Sequence, residues 1–391
     1  MLLKSSLELF DLQDPEVQKN PYPFYPILRN QRPVLRTSVA GQPCWVLSRH
    51  ADIVKVLNDS ESYSNNHTPM PNMLFADEPE HMRLRRMVAG KFTRAAVLQG
   101  FTTRIKATTG VLIGSAVAAG RIDIICGLAS PLTIDTIGAM LGISGLEVER
   151  LRDLSHQFLG YVRSLQLHVV PPASAVSASR EIRDLVAKLI ESESYAEGGV
   201  VALLAGHHRR GELTSDELTS FITLLLVAGH STTTNLIGNA VYVLTQRPDD
   251  LPRIAQEPGF VGRFLDEVLR MRPSFHRILR ITTREVTIDG EVIPTGSIVR
   301  LLLASANRDP HVYVEPETFD PDLRRQAHIA FGRGMHSCLG MWLAREEACC
   351  ALSALAQTIS SVVTDPDDPP ELNSGGSFNE FGFHRLPVIL K

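Results

Sequence analysis

Phe331-Gly332-Arg333-Gly334-Met335-His336-Ser337-Cys338-Leu339-Gly340 is the stretch from which the fold and chemistry of this chain are read. Cys338 sits among glycines at 332, 334 and 340, just before an apolar helical pattern over Trp342–Ala356. Glycines let a backbone approach a flat group closely. A helix N-terminus and its free N–H groups favour a thiolate over a thiol. For a lone cysteine, a buried residue in a Gly-rich turn is the commoner situation. Cys349 and Cys350, on the following helix without a supporting pattern, are read as core or neutral.

Outward from this stretch, the irregular segment Arg308–Phe331 is preceded by strand-like pieces at Arg284–Ile288, Glu291–Ile293 and Ile298–Leu303, and by a helix over Val261–Met271. The longest helical pattern opens on Thr214-Ser215-Asp216-Glu217, a capping box. It continues to Gln246, where Pro248 stops it. About 32 residues at 1.5 Å rise span roughly 48 Å, the central beam of a large fold. Toward the N-terminus, Gln31–Arg36 and Pro43–Leu47 read as a hairpin turning at Gly41. Ala51–Leu57 reads as a short helix, Ser62–Ala76 as a Pro-containing loop, and Glu78–Phe92 as a basic helix. The expected class is mainly α with small β-sheets.

The bulk properties exclude several functions. The chain has 391 residues, 44% hydrophobic and 21% charged, with a net charge of −4. This balance allows a core large enough to enclose a cofactor and does not fit a nucleic-acid binder. Five sparse cysteines give no disulfide framework and suit a reducing compartment. The N-terminus lacks a signal-peptide pattern. The longest apolar run, Leu224–Gly229, is far short of the ~20 residues of a membrane span. A cytoplasmic protein without membrane attachment is expected. No repeat, low-complexity tract or linker divides the chain, so 1–391 is read as one domain, β-rich roughly at 25–50 and 284–303.

FGRGMHSCLG matches F-x-x-G-x-x-x-C-x-G, the haem-binding signature of the cytochrome P-450 superfamily, at every defined position. The preceding ANRDPHVYVEPETFDPDLRRQAHIAFG also resembles that of soluble bacterial members, and the likeness runs from about Asp14 to Lys391. The resemblance implies the cytochrome P-450 fold, with a long central helix over a buried haem b. Cys338 would be the axial iron ligand, with Phe331 and Gly340 bordering the cofactor. A thiolate on haem iron pushes electron density toward the metal and favours O–O cleavage.

Further motifs acquire meaning from this resemblance. Glu267-Val268-Leu269-Arg270 is an E-x-x-R, a spacing also found at Glu80–Arg83, Glu147–Arg150 and Glu149–Arg152, where i,i+3 pairs are ordinary surface features. At the family's position it implies a buried structural pair, Glu267 and Arg270. The family usually adds an arginine five residues before the histidine of H-x-x-F-G, here His328; that position is Leu323. Either a neighbouring arginine takes over, with Arg324 the first candidate and Arg325 silent if exposed, or the network has two members. His81 and Arg85 resemble the H-x-x-x-R that faces the haem propionates, anions that need cationic or N–H partners. Arg280 and His336 complete that set, with Arg277 competing for the place of Arg280. A solvated basic helix face explains Arg83, Arg86 and Lys91.

Ala228-Gly229-His230-Ser231-Thr232-Thr233 resembles the family's A-G-x-[D/E]-T-[S/T]. Ala228 and Gly229 would leave room for O2, and Thr232 would hydrogen-bond it. Ser231 replaces the usual acid, although activating O2 requires two protons. A serine can relay a proton but cannot supply one near neutral pH, so another group or the substrate must do so. Hydroxyls inside helices also commonly bond back to the preceding turn. His230 points about 100° away from its neighbour and is not a ready substitute.

The resemblance also implies a pocket lined by Ser62–Ala76, Leu224–Val227, Pro273–Ile278 and Gly376–Asn379. It would contain Met70, Met73, Leu74, Phe75, Leu225, Phe275, Ile278 and Phe378. An apolar pocket of this kind suits a small hydrophobic or aromatic natural product of secondary metabolism. Electrons would come from a separate ferredoxin and ferredoxin reductase. Arg83, Arg86, Lys91, Arg333 and Arg345 would offer an acidic partner a docking face, though scattered surface arginines account for the same residues. The expected activity is a monooxygenase. The alternatives are oxidative C–C or C–N coupling of an aromatic or indole substrate, such as a diketopiperazine-like molecule, and a non-catalytic haem sensor.

Overall fold

The structure is a computed structural model that describes residues 14, 17, 19–39, 41–373 and 380–391. The hairpin forms as Val34–Val39 and Gln42–Leu47, turning at Gly41 with φ +77°. It is the edge of a five-stranded sheet whose order continues through Ile298–Leu301, Ile278–Thr282 and Tyr63–Ser64. Gln42–Leu47 pairs in parallel with Ile298–Leu301, Cys44 opposite Ile298. A parallel pair needs a crossover, and here nearly all the helices intervene. Ile298–Leu301 is buried at every residue, as a strand covered on both faces must be.

Ile278–Thr282 is a strand that the sequence does not announce: the expected run at Arg284–Ile288 contributes only Val286–Ile288, paired with Glu291–Ile293 in a separate ribbon. The run Ile298–Leu303 shortens at its end, because Leu303–Ala306 turns into a short helix. The expected helices form as His50–Asn58, Glu80–Val88, Phe260–Met271 and Met341–Thr358. Phe260–Met271 buries Phe260, Phe264, Leu265, Val268 and Leu269 on one face. Each such side chain contributes about 1.5–3 kcal/mol on burial. Met341–Thr358 packs against Thr102–Ala119, Ser231–Gln246 and Phe260–Met271, so the helix that follows Cys338 lies in the main core.

The central helix starts as its capping box requires: Glu217 N donates to Thr214 Oγ1 at 3.1 Å, and Thr214 N to Glu217 Oε2 at 2.7 Å. It is not continuous. Ser215–Ala228 ends at Gly229 and His230, and Ser231–Gln246 resumes beyond them. A Cβ on Gly229 would lie 2.5 Å from Ile137 Cδ1. His230 Nδ1 bonds to Leu226 O at 2.9 Å, and Thr232 Oγ1 donates to Ala228 O at 3.2 Å. Side chains inserted into the backbone ladder break a helix in this way. Ser215–Gln246 is long and apolar enough to cross a membrane, more than the apolar run Leu224–Gly229 suggests, but it is mostly buried inside the protein.

Candidate active site

Two left-handed glycines shape the cysteine loop, Gly332 at φ +68° and Gly334 at φ +72°. Gly334 also passes so close to the end of His50–Asn58 that a Cβ would meet Leu57 O at 2.3 Å. Cys338 N donates to Phe331 O at 2.9 Å and closes the loop. Gly340 is the N-cap residue of Met341–Thr358. Burial pushes the Cys338 thiol up, while hydrogen bonds from the backbone of Gly340 and Met341 and the charge of Arg85 pull it down. Protein encloses Cys338, yet the residue keeps open surface, so it faces internal space. By contrast, burial lifts Cys349 to about 11 and Cys350 to about 12, which leaves both inert as core residues.

Beside this loop is a largely buried cluster of guanidinium and imidazole groups. His81, on Glu80–Val88, faces His336 with ring centroids 4.1 Å apart. Asn65 links His336 Nδ1, at 3.5 Å, to Arg280, whose Nη1 donates to Asn65 Oδ1 at 2.7 Å. Burial, then the charge of Arg280, pushes His67 down to about 3; burial and the same arginine do so for His336. Burial lowers Arg280 to about 10 and also lowers Arg85. Asp77 acts on Arg280 at a distance but bonds to Ser64 Oγ and Asn65 N. Among the described residues no carboxylate lies within ion-pair distance of Arg85 or Arg280; His81 Nδ1 lies 3.6 Å from Glu78 Oε1, and Nδ1 of His67 has no hydrogen-bond partner. Buried cations without anions are costly. A thiol on a helix N-terminus beside two guanidiniums without carboxylate partners, Arg85 and Arg280, and imidazoles that can donate hydrogen bonds fits a haem with two propionates. Arg277 is buried too, but couples to Tyr25, so Arg280 is the arginine joined to this cluster. His67 was not singled out from the sequence, since nothing in the Ser62–Ala76 loop distinguishes it.

The Glu267–Arg270 pair is buried and bidentate, with Arg270 Nε and Nη2 each 2.8 Å from a carboxylate oxygen. The third member is Arg325, not Arg324: Arg325 Nη1 donates to Glu267 Oε1 at 2.9 Å and to Asp320 O at 2.9 Å. Arg324 is exposed. The expected order is reversed because the irregular segment turns at Asp320, whose own N–H also binds Glu267 at 3.0 Å, and that turn brings the side chain two residues past Leu323 inward.

At the helix break, Ser231 Oγ donates to Glu380 Oε1 at 2.6 Å. Burial lifts the Glu380 carboxyl to about 7, and its bond to Ser231 opposes the rise. Ser274 Oγ donates to Thr232 O at 2.8 Å, and Phe381 N to Ser274 O at 2.8 Å. The C-terminal segment is therefore fastened over the break. Burial holds His230 at about 4, so it is neutral near pH 7, in keeping with its exclusion as a proton source. Glu380 escaped sequence reading because it lies 149 residues away in a segment without pattern.

The expected pocket residues divide. Met73 and Leu225 are buried in the main core cluster, Ile278 packs against a cluster on the sheet side, and Phe75 meets His67 edge-on with ring centroids 5.2 Å apart. Leu74 is exposed, Phe275 bridges to Glu380, and Met70 packs near Phe158 and Val227. Phe378 and the Gly376–Asn379 turn lie outside the described residues. Two of the five surface cations are committed elsewhere: Arg83 pairs with Glu80 and Glu217, and Arg345 with Asp266.

Residues 173–391 match the family model described as Cytochrome P-450. The chain is 33% identical to cytochrome P-450 monooxygenase PikC of Streptomyces venezuelae, over 88% of this chain and 85% of that protein. It is 32% identical to nocardicin C N-oxygenase of Nocardia uniformis subsp. tsuyamanensis, over 85% and 87%. The fold superposes with a TM-score of 0.87 and 27% identity on CYP109E1 from Bacillus megaterium, solved with testosterone, covering 96% of this chain and 99% of that one. The cysteine loop, the cationic cluster, the fold and these likenesses converge: the chain belongs to the cytochrome P-450 family and is a haem b oxidoreductase of the monooxygenase type.

Proposed function

We propose that the chain acts as a single unit that oxidises a small hydrophobic or aromatic natural product, taking electrons from a ferredoxin and its reductase. The observation that carries this reading is Cys338 at the N-terminus of Met341–Thr358, with the N–H groups of Gly340 and Met341 on its sulfur. Bound there, haem supplies reductive activation of O2. Cys338 would ligate the iron through its thiolate, with Phe331 and Gly340 bordering the site. Arg85, Arg280, His81 and His336 would hold the propionates, joined by His67. Glu267, Arg270 and Arg325 brace the segment leading into the cysteine loop. Ala228 and Gly229 carry no bulk at the helix break, and Thr232 offers a hydroxyl there.

Substrate would enter among Met73, Leu74, Phe75, Leu225, Phe275 and Ile278. The relative named as an N-oxygenase of nocardicin C supports a natural product as the substrate class. The test is turnover of the haem-loaded protein with ferredoxin, reductase and a panel of small apolar natural products that displace the iron-bound water. A product heavier by one oxygen atom supports the reading. A product lacking two hydrogens identifies oxidative coupling instead, and binding without any product identifies a sensor.

A further inference from the structure

Ser231 occupies the position at which the motif keeps a carboxylate, and a carboxyl lies directly against it. Glu380 is buried, and Ser231 Oγ lies 2.6 Å from its Oε1. This contact is built into the backbone. A Cβ on Gly382 would lie 2.1 Å from Asn235 Oδ1, so only glycine lets the C-terminal segment come down on Ser231–Gln246 at this point. Asn239 Nδ2 donates to Phe381 O at 3.1 Å, Phe381 N donates to Ser274 O, and Glu380 itself bridges to Phe275.

Among the described residues no cation lies within ion-pair distance of Glu380, and its side-chain carboxyl is hydrogen-bonded by Ser231. A buried, uncompensated carboxyl resists ionisation; with an ordinary value of 4.5 lifted to about 7, it exchanges its proton near neutrality. Ser231 and Glu380 both line a cavity, partly open to solvent, whose wall also carries Arg152, Asp153, His156 and His384. The titratable and charged groups that share this cavity with Glu380 are Arg152, Asp153 and His156 from Val148–Gln166, His230 from the helix break, and His384 from the strand Phe383–Arg385. Arg272 and His276 flank Phe381 on the far side. Burial lowers His156 as well as His230, and the standing cation Arg152 is turned to Cys126 Sγ and Asp153, outside ion-pair distance of Glu380.

We propose that Glu380 is the displaced acid of the helix motif: it passes protons through Ser231 to the break at Ala228–Thr232 and is reloaded from water in the cavity beside His156 and His384. The step moves protons only. With the Ser231 hydroxyl turned from Glu380 toward the break, the protonated Glu380 carboxyl donates to Ser231 Oγ as the serine proton leaves for a water in the break. The carboxylate then takes a proton from cavity water, which regains one from solvent. Glu380 acts through Ser231, not on the reacting atoms. The inference rests on the oxygen-activating reading given above.

The test compares haem-loaded wild type with Glu380→Gln, Glu380→Asp and Ser231→Ala. Infrared difference spectra should show a protonated carboxyl band in wild type that disappears as pH rises through about 7. The band should be absent in Glu380→Gln and shifted in Ser231→Ala, where the carboxyl loses its partner. Product formation should fall on the order of 10²-fold in Glu380→Gln, with the electrons appearing as peroxide, because a positioned general acid contributes at least that much. Glu380→Asp should recover part of the loss and retain a pH dependence. Absence of a titrating carboxyl band, or equal product and an unchanged pH profile in Glu380→Gln, would overturn the proposal. If Glu380→Gln does not fold, Ser231→Ala decides, since it cuts the link and leaves the acid in place. A thiolate-type carbonyl spectrum in every variant separates failure of the relay from failure of the oxygen-activating reading, which would remove that spectrum from wild type.

Discussion

Removing Arg325 should destabilise the protein severalfold more than removing its neighbour Arg324. The side chains of Arg325 and Glu267 are 5% and 6% exposed, so their contact is a buried ion pair. Breaking such a pair by deleting one partner costs about 3–5 kcal/mol, because the remaining charge is left uncompensated. Here Glu267 keeps the bidentate Arg270 and the Asp320 N–H, which places the loss at about 3 kcal/mol, the lower end. The bonds from Arg325 to Val314 O and Thr318 O, each 3.1 Å, and to Asp320 O are lost with it. Arg324→Ala, at an exposed position, should stay within about 0.5 kcal/mol of wild type. The assay is denaturant unfolding of the haem-loaded proteins, with haem content measured alongside. Arg325→Ala should unfold at clearly lower denaturant and retain less haem. Equal small effects, or a larger effect from Arg324→Ala, would refute the three-membered network.

Three further perturbations follow from the same geometry. Ser231→Glu should lower product formed per NAD(P)H and raise peroxide, because a second carboxyl beside Glu380 makes one of the two hold its proton and displaces the hydroxyl; more product with less peroxide would contradict this. Glu380→Gln should change how stability depends on pH. The folded state holds the Glu380 proton up to about 7 while the unfolded chain releases it near 4.5, so its contribution is full below 4.5, is lost as pH rises through about 7, and is then flat. The variant should therefore gain on wild type across that window by at most about 3 kcal/mol, and parallel stability curves would exclude the raised carboxyl. Gly334→Ala should lose haem on gel filtration, since a left-handed alanine costs roughly 1–2 kcal/mol and its Cβ would collide with Leu57 O; Gly90→Ala, with open space around it, should not, and equal retention would show that the loop has other room to move.

The cysteine loop was legible because its glycines are required by local conformation, and such requirements are written at fixed spacing. The Glu267–Arg270 pair was legible only through its place ahead of the cysteine loop in the family's order of motifs, since the same spacing recurs at Glu80–Arg83, Glu147–Arg150 and Glu149–Arg152. Arg325 was not, because the segment before the loop has no period and its turn at Asp320 decides which arginine points inward. The break at Gly229 and His230 was hidden by an apolar pattern that runs on through it; the interruption comes from Ile137 packing on Gly229 and from His230 bonding to Leu226 O. Strand Ile278–Thr282 takes its form from its neighbours in the sheet, and Glu380 reaches Ser231 only because Gly382 packs against Asn235. Both depend on tertiary contact, which a single sequence does not display.

The most direct measurement of the central claim is the absorption spectrum of the reduced carbonyl complex. With Cys338 as thiolate ligand, the wild-type protein should show the red-shifted Soret band typical of that ligation, and Cys338→Ser should lose it, whereas Cys349→Ser and Cys350→Ser should keep it. A wild-type spectrum like that of a histidine-ligated globin would contradict the account.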